Sequence, residues 1–161
     1  DFGRAAVHRM EDAGILVDVS HLNDQGFADL TRIARKPFIA THSNSRAVCD
    51  HPRNLTDEQF CTIRDMGGLV GINYYRFFIR EDGITADITD LIAHIDHFLA
   101  LGGEEILCCG SDFDGAEIPP YLNSIDKVAN LHAALLAHGI DEEVIQKILF
   151  ENVHRFFNKY L

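Results

Sequence analysis

The sequence predicts an α/β architecture of parallel strands buried on both faces, either a doubly wound sheet or part of a (β/α)8 barrel. Four short, nearly continuous apolar runs, at 15–19, 37–41, 68–73 and 105–111, alternate with stretches of helical periodicity. His21, His42, Asn73 and Asp112 stand where those runs stop, at the C-terminal strand ends where such folds gather their chemistry. The composition, 47% hydrophobic and 24% charged over 161 residues, suits one globular domain with a real core.

Phe2, Ala5, Ala6, Met10 and Ala13 keep roughly helical spacing up to Gly14, a natural stop, and ILVDV (15–19) then reads as a short buried strand. Residues 23–35 form the next expected helix. PFIAT (37–41) is the second strand, with Pro37 acceptable at its first position. Thr56 and Gln59 make a capping box that opens a helix running to about Met66, ended by Gly67 and Gly68. GLVGIN (68–73) is the third strand. An irregular aromatic stretch, YYRFFIREDGITA, separates it from a helix between about Asp87 and Leu101, closed by Gly102 and Gly103. EILCCGS (105–111) is the fourth strand, and a loop with Pro119 and Pro120 leads to helices near 124–138 and 141–159, with Asp141 as a cap.

Residues 1–161 thus read as a single α/β segment of about four βα units, half of the eight in a barrel. A barrel therefore requires its other half upstream or on another chain. The start at Asp1, without Met and on an apparent helix, suggests an internal fragment.

Twenty-five acidic against 14 basic side chains, a net charge of -11, argue against a polyanion partner and so against nucleic acid. The charge is compatible with acidic surface helices around a metal site. Cys49, Cys61, Cys108 and Cys109 form no CxxC pair and read as buried free thiols. No run approaches the roughly 18 apolar residues of a membrane span, and DFGRAAVHRM lacks a signal peptide's apolar stretch, which favours a cytoplasmic location for this stretch. No GxGxxG follows a strand, and neither a P-loop nor a GxSxG elbow is present.

Residues two apart in a strand face the same way, so Val17, Val19 and His21 form one expected row, Phe38, Ala40 and His42 a second, and Cys108, Gly110 and Asp112 a third. Each polar residue would extend an apolar row, as metal ligands do at the mouth of a barrel. Neutral imidazole suits zinc, and carboxylates complete catalytic sites that keep an open position. His21, His42 and Asp112 supply three such groups. Each alone is more often a surface or hydrogen-bonded residue; their concurrence carries the metal reading.

Asp112–Gly115, DFDG, also reads as a plain turn, and its glycine stands at the fourth position where an EF-hand needs the sixth. His94 and His97, three apart on a helix and far from any strand end, read as helix-face residues rather than chelators. In DHPRN, after the second strand, Arg53 offers a planar fork that is either a clamp for a substrate carboxylate or an ordinary surface ion pair.

GILVDVSH, THSNSRAVCDHPRN, the capped helix after it, GGLVGINYY, HIDHFLALGG, GSDFDG and ILFENVHRFF together resemble the C-terminal half of membrane (renal) dipeptidases and their bacterial relatives, within the amidohydrolase superfamily. The motifs run in the same order through almost all of the chain. The resemblance implies the C-terminal half of a (β/α)8 TIM-type barrel of the metal-dependent hydrolase kind. It further implies two zinc ions bridged by a glutamate, and hydrolysis of dipeptides, including some with a C-terminal D-residue. By motif, His21 and His42 match the two histidines of one metal, Arg53 the arginine that holds the substrate carboxylate, and Asp112 the aspartate beside the nucleophilic water.

The family's His-x-Asp pair, bridging glutamate and further catalytic histidine are expected upstream of Asp1. Half the ligands hold at most one weak ion. This stretch alone is therefore expected to be inactive, marginally stable, and prone to self-associate or to bind the missing half. Two alternatives stand beside the dipeptidase: another amidohydrolase acting on cyclic amides or lactones, and a non-catalytic fragment if the native chain starts at Asp1. A carboxylate clamp at Arg53 favours dipeptides over the first.

Overall fold

In the computed structural model, which describes residues 2–160, the strands are shorter than the apolar runs that announce them. Only β1 (Val70–Asn73) and β2 (Leu107–Ser111) pair as a ladder, in parallel, with Val70 opposite Leu107 and Ile72 opposite Cys109. The expected first and second strands reduce to isolated parallel bridges, Asp18 with Ile39 and Ala40 with Val70. Backbone bonds still set four segments side by side in chain order. Val19 N–H donates to Ile39 O at 2.8 Å, Ala40 N–H to Leu69 O at 2.9 Å and Val70 N–H to Ile106 O at 2.9 Å.

The shortening has a local cause. Both the Ser20 and the Thr41 N–H donate to the Asp18 carboxylate, at 3.1 and 3.0 Å, so a side chain takes amides that a longer ladder would use. The chain turns at both places.

The helices follow the expected order: α1 (Phe2–Asp12), α2 (Asp24–Ile33), α3 (Asp57–Asp65), α4 (Arg76–Ile79), α5 (Ile88–Ala100), α6 (Val128–His138), α7 (Glu142–Gln146) and α8 (Asn152–Tyr160). The Thr56–Gln59 capping box is present on α3, and Asp87 with Asp90 forms a second on α5. The aromatic stretch expected to be irregular contains α4, one helical turn. Asp141 precedes α7 without a side-chain cap bond, and residues 147–151 join α7 to α8 through a π-turn.

Apolar side chains cover both faces of the sheet. Val19, Phe38, Ala40, Val70, Ile72 and Leu107 enter the main core with residues of the helices, where Phe60 and Phe98 stack at 4.1 Å. Ile39, Leu69 and Cys108 form a second cluster with Phe156 of α8. Cys108 therefore lies apart from the rows of Val19 and Ala40, and the three expected rows do not share one face. Cys49 and Cys108 are buried, Cys61 and Cys109 partly so, and all four thiols are free. Among the described residues no helix is long and apolar enough to cross a membrane.

Beside the bridges, the Thr41 carbonyl lies against Gly71 of β1 and Gly110 of β2. A Cβ at Gly71 or Gly110 would collide with the Thr41 carbonyl oxygen, so both positions need glycine for this close approach. Ser43 N–H then donates to Gly71 O at 2.8 Å.

Candidate active site

The two shortened strands end beside each other, and their histidines converge. His21 Nε2 and His42 Nε2 lie 3.0 Å apart, with ring centroids at 5.0 Å. Neighbouring nitrogens on tetrahedral zinc, with Zn–N of about 2.0–2.1 Å, stand roughly 3.3 Å apart. The pair thus fits two corners of such a site, and His21 is open to solvent. Among the described residues no group of three or more His, Cys, Asp or Glu side chains is arranged to hold a metal, so the pair is at most part of a ligand set.

Asp18 fastens both histidine segments. Its Oδ1 accepts from Ser20 N–H, from the Ser20 hydroxyl at 2.9 Å and from Thr41 N–H, and its Oδ2 accepts from the Thr41 hydroxyl at 2.6 Å. The Thr41 oxygen is also 2.7 Å from His42 Nδ1, and His42 N–H donates to Ser20 Oγ at 3.0 Å. Burial pushes the Asp18 carboxyl up, but its bonds from Thr41 and Ser20 outweigh that and hold it below the usual value. His42 is held below the ordinary imidazole value, chiefly by burial; Asp112 and Asp18 favour its charged form, while His21 and Arg53 oppose it. Neutral imidazole is the form that ligates metal.

Arg53 reaches the same mouth from the 42–55 segment. Its Nε donates to Ser20 O at 2.8 Å and its guanidinium carbon lies 5.4 Å from the centroid of the Phe78 ring. Its Nη2 is buried without a partner among the described residues. An ordinary surface ion pair, the alternative reading, is not what Arg53 makes: one edge of the fork is anchored to backbone and an N–H is left over for an acceptor.

Asp112 follows β2, where Ser111 (φ 27°) and Asp112 (φ 68°) take positive φ values that end the strand's alternation. It does not extend the Cys108–Gly110 row; the chain twists it to its place. Asn73 Nδ2 donates to Asp112 Oδ2 at 3.1 Å. Asn73 is fully buried and is fixed by Asn44, which accepts its N–H at 2.9 Å and donates to its carbonyl at 3.0 Å. Asp114 is also left-handed at φ 63°, and Gly115 N–H returns to Asp112 O at 3.2 Å, so DFDG is a turn as well as the carrier of Asp112.

Asp18, Thr41 and Asn44 escaped the sequence reading. The one signal was an acid inside the apolar run VDV, which a strand buried on both faces would not bear without partners. His94 and His97 have separate jobs: His94 is buried between Ser45 N–H and Ile79 O, and His97 meets Asp57 at 2.7 Å.

Parallel strand ends thus bring a converging histidine pair, an anchored arginine and an oriented carboxylate together in an α/β protein. The chain belongs to the membrane dipeptidase family, peptidase family M19, whose sequence profile matches residues 1–160. It is 42% identical over 139 residues to the uncharacterized protein in pqqA 5'region of Klebsiella pneumoniae, covering 84% of this chain and 51% of that protein. It is similar in structure to a metallo peptidase from Rhodobacter sphaeroides, liganded with a phosphinate mimic of the dipeptide L-Ala-D-Ala. There the TM-score is 0.93 and the identity 39%, covering 99% of this chain and 46% of that one. A second solved structure, of the metallo peptidase called dipeptidase AC, gives 0.92 and 39%, covering 98% and 48%. The chain thus spans about half the length of the relatives it matches.

Proposed function

We propose that this chain is the C-terminal half of a (β/α)8 barrel that hydrolyses dipeptides with zinc as cofactor. The remaining strands and ligands would come from polypeptide beyond this stretch or from an associated chain. The observation that carries the reading is the 3.0 Å approach of His21 Nε2 and His42 Nε2 at two neighbouring strand ends. The four segments paired in chain order support the barrel, and the dipeptide mimic bound by the similar metallo peptidase supports the substrate class, C-terminal D-residues included.

His21 and His42 would hold one zinc. The chemistry that zinc would supply there is polarisation of a carbonyl oxygen and activation of water near neutral pH. Arg53 holds the free carboxylate of the substrate through the buried N–H that has no partner among the described residues, and so places the peptide bond over the strand ends. Asp112, aimed by Asn73, takes a proton from the attacking water and passes it to the departing amine.

The test is hydrolysis of L-Ala-D-Ala and of its C-terminal amide by the zinc-loaded full-length polypeptide. The reading expects turnover of the free acid and much weaker turnover of the amide. Equal rates on both, or hydrolysis of a cyclic amide in preference to either, would refute it.

A further inference from the structure

Asp18 and Thr41 do more than fasten two loops. Three donors, Ser20 N–H, the Ser20 hydroxyl and Thr41 N–H, pin Oδ1 of Asp18, while Oδ2 receives the Thr41 hydroxyl. That hydroxyl has one proton, committed to Oδ2 at 2.6 Å, so its oxygen can only accept from the His42 nitrogen 2.7 Å away. The ring proton of a neutral His42 then sits on Nδ1, and Nε2 carries the lone pair. Within the His21–His42 contact, His21 Nε2 must be the donor.

We propose that Asp18, acting through the Thr41 hydroxyl, is a positioning residue that sets the tautomer of His42 and so presents Nε2 to a metal. The proposal rests on the reading of His42 as a ligand and deepens it. Metal-bound imidazoles commonly donate their second N–H to an oxygen that fixes ring and tautomer. Here a threonine is interposed, and the carboxylate decides which way the hydroxyl points. The same carboxylate holds the backbone: Ser20 Oγ, bonded to Asp18, accepts His42 N–H at 3.0 Å. Ring and main chain of His42 are governed from one point.

A nearly isosteric change that removes the carboxylate charge and turns one acceptor into a donor tests the direction of this relay. In Asp18→Asn the three donors keep the amide oxygen at the Oδ1 position, which places NH2 where Oδ2 stands. That NH2 donates to Thr41, the hydroxyl turns its proton toward His42 Nδ1, and the ring proton moves to Nε2. Thr41→Ser keeps the relay. Thr41→Val removes it while leaving every backbone bond to Asp18 in place, so it serves if Asp18→Asn does not fold.

The full-length polypeptide, labelled with 15N-histidine, would be examined by NMR without metal for the tautomer, and titrated with zinc against a competing chelator for affinity. Wild type and Thr41→Ser are expected to carry the proton on Nδ1. Asp18→Asn is expected to carry it on Nε2 and to bind zinc about 10- to 100-fold more weakly. Thr41→Val is expected to show mixed tautomers and a smaller loss. Retention of the Nδ1 proton in Asp18→Asn, or unchanged tautomer and affinity in Thr41→Val, overturns the proposal. If the tautomer responds as expected while neither wild type nor variants bind zinc, the relay is sustained and the ligand reading fails, so the two are told apart.

Discussion

His94 makes the stability of this chain depend on pH in a calculable way. It is fully buried, accepts Ser45 N–H on Nδ1 at 3.1 Å and donates from Nε2 to Ile79 O at 2.9 Å. Both nitrogens are thus used by the neutral ring, and a second proton would set Nδ1–H against the Ser45 N–H. Burial is the main reason its pKa falls from 6.5 to about 4; the Ile79 carbonyl and Asp90 oppose the fall, and His97 adds to it. The folded state therefore resists a proton that the unfolded chain accepts. Stability from this source is complete above pH 6.5 and is lost as pH falls toward 4. Over those 2.5 units, at about 1.36 kcal/mol each, the loss is about 3 kcal/mol. Urea unfolding at a series of pH values from 7.5 to 4 measures it. Because carboxylates also contribute in acid, the comparison is with His94→Gln, which should be less stable at neutral pH and show a shallower decline. Parallel curves for the two proteins would refute the assignment. Ser45, whose N–H is bonded to His94, lies three residues beyond His42.

Other perturbations have equally direct readouts. Arg53→Lys keeps the charge but loses the fork, so KM for dipeptides with a free carboxylate should rise while the C-terminal amide is unaffected; equal losses on both would refute the clamp. Asp112→Asn keeps the shape and its bond from Asn73 but cannot accept a proton, and should lower kcat by about 10²- to 10⁴-fold with near-normal unfolding. Asp114→Asn, in the same turn, should cost less at matched metal content, and a larger loss there would reverse the roles. Gly110→Ala forces a methyl into the Thr41 carbonyl and should destabilise by about 1–3 kcal/mol, read by urea midpoint.

Much of this was legible along the chain because it rests on local chemistry. Thr56 with Gln59 signalled the start of α3, and Gly102 and Gly103 the stop after α5, since caps and left-handed turns depend on residues within one turn of each other. His21 and His42 were found from position alone, each at the end of an apolar run. What failed was extrapolation of the strand period past the strand end. Ser111 and Asp112 turn left-handed, and Asp18 captures the amides of Ser20 and Thr41, so alternation stops before His21, His42 and Asp112 are reached. The Asn44–Asn73 pair and the Asp18–Thr41 contact join residues 20 or more apart through single side chains, which leave no periodic trace. Only the acid in VDV marked one of them.

Zinc content is the most direct measure of the central claim. The full-length polypeptide, purified with zinc and dialysed, would be analysed for metal per chain beside His21→Ala and His42→Ala, each shown to be folded by its unfolding transition. If the 3.0 Å pair is a shared ligand set, each variant should lose the same one ion and most dipeptide turnover, with no further loss in the double variant. An unchanged zinc-to-protein ratio in both folded single variants would contradict it.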